Sequence, residues 1–270
     1  MALDPPIATG RTAEVFAWGK TGTQALKLFR PGWSMDAARH EAEIARAIYA
    51  AGVAVPRVYE VVEVDGRAGV VYERIAGPSL LDMLAAPPWP LWRVARLLAE
   101  TQASIHERTV AEMPPLREKL ARLIRAASSL TPALQRAALA ALDALDALPD
   151  GAALCHGDYP PDNVLLSARG PLVIDWENAA LGDPLADVAR TLLLMRASHL
   201  YVKTPAEGMV RRTLVPILNT LYLRRYRQLR PLDPARLAAW ELPVTAARLS
   251  EGVAEEEEYL LARVRRLAAQ

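Results

Sequence analysis

Residues 156–166 read HGDYPPDNVLL and residues 172–177 read LVIDWE, and the rest of the chain is organised around these two runs. Asp158 lies between an apolar approach, AALC, and a loop stiffened by Pro160 and Pro161, whose fixed φ angles limit its movement. A carboxylate held there is suited to orienting a hydroxyl and accepting its proton. Taken alone it reads more readily as a loop aspartate that accepts nearby backbone N–H bonds. NVLL, SARG and PLVID describe a tight hairpin with Asn163 and Asp175 at its opposite ends. Both offer hard oxygen atoms, the donors by which two chain-distant residues hold one Mg2+ that also takes phosphate oxygens. Asn163 by itself would merely cap a turn. Asp175 directly follows the apolar run LVI, where a buried carboxylate needs a cation, a helix N-terminus or a firm hydrogen-bond partner. Together, Asp158, Asn163 and Asp175 form a constellation that no one of them carries alone.

The 270 residues are 52% hydrophobic and 23% charged, enough to bury a core in one large domain or two unequal ones. With 32 basic and 31 acidic residues the net charge is +1, which provides no field to attract nucleic acid. A single cysteine, Cys155, excludes an internal disulfide and points to a reducing cytoplasm. The start, MALDPPIATGR, has neither a basic leader nor an apolar core, and no stretch reaches the roughly 18 apolar residues of a membrane span. A soluble protein with no membrane partner is therefore expected; nothing in the pattern specifies an oligomeric state. Only Lys20, Lys27, Lys119 and Lys203 are lysines, which makes a lysine inside a strand conspicuous.

The first 75 residues predict a small sheet with one helix. Residues 12–18, the turn at 20–22 and residues 23–29 form one hairpin, and residues 57–64 and 68–74 form another around Asp65 and Gly66. Between them, residues 34–52 carry Ser34 as N-cap, Asp36 in the first turn, Ile44 and Ile48 on one face, and Gly52 as a stop. After residues 73–77 the composition shifts to long Ala, Leu and Arg segments, with helices expected at 91–109, 116–128 and 133–147. Beyond the 155–177 hairpin region, helices are expected at 184–199, 206–228, 234–247 and 251–268. Val94, Leu98, Thr101 and Ile105 make one stripe.

HGDYPPDNVLL followed by VIDWE resembles the HGDxxxxN and IDxx motifs of the aminoglycoside phosphotransferase and choline kinase group, small-molecule kinases with a protein-kinase-like fold. The resemblance implies an α+β, two-lobed fold: an N-terminal nucleotide-binding lobe over residues 1–75, a small antiparallel sheet with one helix, and a larger, mostly helical catalytic lobe over residues 76–270. It implies ATP and Mg2+ as cofactors, Asp158 as catalytic aspartate, Asn163 and Asp175 as metal ligands, and His156 and Asp187 as supports of the catalytic loop. Asp183 is expected to cap the helix that carries Asp187, and His106 to pack beneath the loop. Lys27, in QALKLF, corresponds to the lysine that touches the phosphates and pairs with a helix glutamate, for which Glu41 is the best match and Glu43 the fallback.

Gly10, Arg11 and Thr12 fall in the phosphate-covering loop, although ATGRTAEVF lacks the GxGxxG pattern. Glu73, Arg74 and Ile75 fall where backbone meets the adenine edge, and residues 73–77 form the pivot of lobe closure. The chain departs from the group in carrying YPPDN where relatives often have LHPGN, which adds Asp162 beside the metal asparagine, and in carrying Trp176 after the metal aspartate. Asp162, Glu177, Glu255 and Glu258 are candidates to attract the amine of a small hydroxyl-bearing substrate. The glutamates of the last helix also suit its positive N-terminal end. The rival reading is a noncatalytic nucleotide-binding or scaffolding protein that keeps the kinase shape.

Overall fold

The computed structural model describes residues 3–19, 21–85, 90–111, 113–145, 152–202 and 204–270. Backbone contacts divide the chain into two units, Met1–Leu80 with Asn163–Glu177, and Leu81–Asp162 with Asn178–Gln270. The first is a small antiparallel sheet with one helix and the second is mainly helical, the fold class that the motifs imply.

In the first unit, β1 (Ala8–Thr9), β2 (Ala13–Trp18), β3 (Gln24–Phe29), β4 (Val58–Val64) and β5 (Arg67–Glu73) form a sheet of order β1-β2-β3-β5-β4. Helix α1 (Met35–Ala50) starts where Ser34 Oγ accepts the Ala37 N–H at 3.1 Å. Its small buried residues Ala38, Ala42 and Ala45 bring it close to Phe29, Val58 and Val70 of the sheet. Leu26 and Leu28 point the other way, into a second cluster with Phe16 and Val71. Alternation along β3 therefore sends Lys27, with Phe29, to the α1 side. The β4–β5 turn places both Asp65 (φ 49°) and Gly66 (φ 75°) in the left-handed region, as a two-residue hairpin requires. Lys20, in the first expected turn, lies outside the described residues.

A second hairpin belongs to this unit. It comprises Val164–Ser167 and Gly170–Val173, with Val164 opposite Val173. It docks by backbone: Leu166 N donates to Pro78 O at 2.9 Å and Val173 N to Ala54 O at 2.9 Å. Gly77 permits this approach, since a Cβ there would lie 1.5 Å from Leu166 O.

In the second unit the helices are α2 (Leu80–Ala85), α3 (Leu91–Ile105), α4 (Leu116–Ala126), α5 (Pro132–Asp143), α6 (Pro184–Ala197), α7 (Pro205–Leu229), α8 (Pro234–Arg248) and α9 (Ala254–Ala268). The end of the helix expected at 133–147 includes residues outside those described. The stripe Val94, Leu98, Thr101 and Ile105 is buried, and α3 packs along α7 while α6 packs along α8. Among the described residues no helix is long and apolar enough to cross a membrane. Besides β1 and α2, two short strands carry no sequence expectation: Ala153–Cys155 pairs antiparallel with Ala180–Gly182. Three residues are too few to display a period. The last helix begins at Ala254, later than expected, because Leu249–Glu251 forms a 3-10 turn closed by Gly252 at φ 61°.

Candidate functional site

Within the sheet unit, Lys27 Nζ donates to Glu41 Oε2 at 3.0 Å and to Asp175 Oδ1 at 3.0 Å. Tyr72 Oη donates to the other oxygen of Glu41 at 2.7 Å, fixing the helix carboxylate from the sheet side. Burial alone would lower the Lys27 pKa, but the Asp175 and Glu41 carboxylates outweigh it and hold the ammonium above its ordinary range. Two carboxylates around one ammonium leave one negative charge in excess, a setting that favours a further cation.

Asn163 and Asp175 bracket the hairpin, and Ile174 N donates to Asn163 O at 3.0 Å, which joins the two flanks. Asp175 adopts φ 66°, a left-handed conformation uncommon for a side-chain-bearing residue and one that is recurrent where geometry serves a site. Among the described residues, no three His, Cys, Asp or Glu side chains are grouped as a metal cluster. An amide oxygen and a carboxylate at the base of one hairpin nonetheless fit a hard cation that takes its remaining ligands from phosphate and water, as Mg2+ does.

Within the helical unit, the loop from His156 to Asp158 hangs on Asp187. This buried carboxylate accepts from His156 N at 3.1 Å, Gly157 N at 2.7 Å, Gln102 Nε2 at 2.9 Å and His106 Nε2 at 3.0 Å. Burial pushes its pKa up, but the hydrogen bond and charge of His106, with those of His156 and Gln102, hold it well below the usual carboxylate range. His156 Nδ1 accepts the Asp158 N–H at 3.2 Å. Gly157 (φ 78°) admits no side chain, because a Cβ would stand 2.5 Å from Asn178 O. Asp183 Oδ1 caps α6 by accepting from Leu185 N at 2.8 Å.

Asp158 itself is half-buried, with Arg190 Nη2 at 3.9 Å. Burial raises its pKa, against the opposing charges of Arg190, His156 and Arg248. A raised pKa favours proton acceptance from a hydroxyl. Asp162, exposed on the Pro161–Asn163 turn, is also raised, by desolvation first and then by the charges of Asp82 and Asp158.

The other candidates are more dispersed. Gly10 N donates to Ala13 O at 2.9 Å to close the turn between β1 and β2, and Arg30 donates to the carbonyls of Arg11 at 2.9 Å and Gly10 at 3.0 Å. Thr12 is half-buried and its carbonyl accepts from Arg30 N at 2.8 Å. Glu73 is paired with Arg169, Arg74 Nη1 donates to Gly22 O at 3.1 Å, and Ile75 is half-buried. Glu177, Glu255 and Glu258 are exposed. The glutamates of the last segment that enter the interior are instead Glu251 and Glu256, paired with Arg190 and Arg248. Sequence motifs leave Arg190, Arg248, Arg30, Gln102 and Tyr72 unmarked. Only Arg190 carried a local signal, standing one helical turn after Asp187.

The model of the phosphotransferase enzyme family matches residues 5–240. An aminoglycoside 3'-phosphotransferase of Streptomyces fradiae is 30% identical over 169 residues, covering 55% of this chain and 61% of that protein's length. Among solved structures, an aminoglycoside-3'-phosphotransferase of type VIII superposes with TM-score 0.62 at 22% identity, over 91% of this chain and 92% of that one. A choline/ethanolamine kinase family protein from Mesorhizobium loti superposes with TM-score 0.64 at 19% identity, over 100% and 89%. At these identities the two structures establish the fold.

Proposed function

Because the chain belongs to the phosphotransferase enzyme family, we propose that it transfers the γ-phosphoryl group of ATP to a hydroxyl of a small molecule, amine-bearing alcohols such as amino sugars and choline-like compounds included. The observation that carries this reading is the ammonium of Lys27 held between Glu41 and Asp175, both at 3.0 Å, beside the hairpin that bears Asn163.

In this reading Lys27, braced by Glu41, positions the ATP phosphates. Asn163 and Asp175 hold Mg2+, which when bound neutralises charge on the phosphate oxygens. The backbone of Gly10, Arg11 and Thr12 approaches the phosphates, and that of Glu73, Arg74 and Ile75 meets the adenine edge. Asp158 orients the acceptor hydroxyl and accepts its proton as the O–P bond forms, while His156 and Asp187 keep its loop in place. Asp162, with Glu177, Glu255 and Glu258, favours an acceptor carrying positive charge.

The test measures ATP consumption with choline, ethanolamine, gentamicin and streptomycin in wild type and D158N. The expected result is turnover with at least one acceptor, a loss in D158N of roughly 100-fold or more, and unchanged nucleotide affinity. Nucleotide binding without phosphoryl transfer to any acceptor would replace this reading with that of a noncatalytic nucleotide-binding protein.

A further inference from the structure

Arg190 leaves α6 on the same face as Asp187, toward the loop that carries Asp158. Its side chain is 9% exposed. Nε donates to Gly157 O at 3.2 Å, Nη2 donates to Glu251 Oε1, and the same Nη2 lies 3.9 Å from Asp158 Oδ1. One guanidinium thus stands between two carboxylates and is hydrogen-bonded to the one that lies off the loop. Glu251 is held in turn by Arg248 Nη1. Arg248 is fixed by a two-pronged pair with buried Glu256, at 2.6 and 2.9 Å, and Tyr201 Oη donates to Glu256 at 2.5 Å. The order of constraint therefore runs from α9 through Arg248 and Glu251 to Arg190 and the loop. Gly157, Arg190 and Glu251 also line one cavity with Lys119 and Asn178.

We propose that Glu251 is a positioning residue for phosphoryl transfer, holding Arg190 at a set distance from Asp158. The inference rests on the role given to Asp158 above. A guanidinium in direct contact with Asp158 would occupy an oxygen needed for the acceptor's proton and weaken it as a proton acceptor. A missing guanidinium would leave Gly157 O without its donor and the loop without its tether. Both departures slow the reaction, and Glu251 sets the separation between them.

The experiment is a double-mutant cycle of E251Q, R190Q and R190Q/E251Q, measuring kcat and KM for ATP with the acceptors named above and with water as acceptor. E251Q keeps the side chain's shape and loses the charge. Its kcat should fall roughly 10- to 100-fold with the KM for ATP within about twofold of wild type. The double variant should be no slower than R190Q, because Glu251 acts through Arg190. A full E251Q loss persisting on the R190Q background overturns the proposal, since Glu251 would then act through Arg248 or packing. If E251Q melts below the assay temperature, E251D takes its place: the shorter arm releases Arg190 while retaining the charge facing Arg248, and the same non-additivity is expected. A wild type that turns over while E251Q and R190Q match it overturns the positioning role alone. A wild type that consumes no ATP overturns the proposed function and this role together.

Discussion

Replacing Asp187 with asparagine perturbs the buried junction from which the Asp158 loop is suspended. The carboxylate accepts one hydrogen bond at Oδ1, from Gly157 N, and three at Oδ2, from His156 N, Gln102 and His106. An amide must present its NH2 group to one of these two sets. The milder orientation turns it toward Gly157, leaving that N–H unsatisfied at a cost of about 1–3 kcal/mol, and it weakens the three remaining bonds from charge-assisted to neutral at about 1 kcal/mol each. The total of about 4–6 kcal/mol overlaps the roughly 3–5 kcal/mol for breaking a buried ionic arrangement. At about 2–4 °C per kcal/mol for a chain of this size, the thermal midpoint of D187N should fall by about 8–24 °C. E107Q, an exposed control at the end of α3, should stay within about 0.5 kcal/mol of wild type. Because the folded-state pKa of Asp187 is depressed, its contribution is present above the unfolded value of about 3.9 and is lost as pH falls through the lower folded value. Scanning calorimetry at pH 7 and pH 5 should therefore give the same difference, narrowing only in stronger acid. A D187N deficit below about 1 kcal/mol at pH 7 would refute the reasoning.

Two further outcomes follow from the geometry. Gly77→Ala forces a methyl group to within 1.5 Å of Leu166 O, so the Leu166–Pro78 hydrogen bond must give way; a loss of about 3 kcal/mol and faster exchange of the Leu166 amide are expected, checked by denaturation and hydrogen exchange. The raised pKa of Asp158 means that the unfolded chain ionises it more readily than the folded protein does, so its charge opposes folding at neutral pH. D158N, inactive in the proposed reaction, should accordingly melt higher than wild type at pH 7, and the difference should vanish as pH falls below about 4. Equal or lower melting at pH 7 would contradict the burial argument.

Much of the secondary structure is legible in contiguous residues because its causes are local. Alternation marks β2 and β3, Asp65-Gly66 dictates a tight turn, Ser34 caps α1, and the stripe from Val94 to Ile105 announces a buried helix face. The pairing of Lys27 with Glu41 was suggested by motif resemblance and their spacing along the chain, and the register of β3 then turns Lys27 toward α1. The Ala153–Cys155 strand was silent, since its partner lies beyond the hairpin and its length shows no period.

Most of the elements are specified locally, since turns, caps and apolar periods are fixed by residues within a few positions of one another. Long-range packing, by contrast, sets the hairpin at residues 163–177 against the first eighty residues and lets Tyr72 steady Glu41. It alone assigned Glu251 and Glu256, rather than their exposed neighbours, to Arg190 and Arg248. Each of these outcomes depends on which buried charges and backbone groups can be satisfied together, and their partners come from distant parts of the chain.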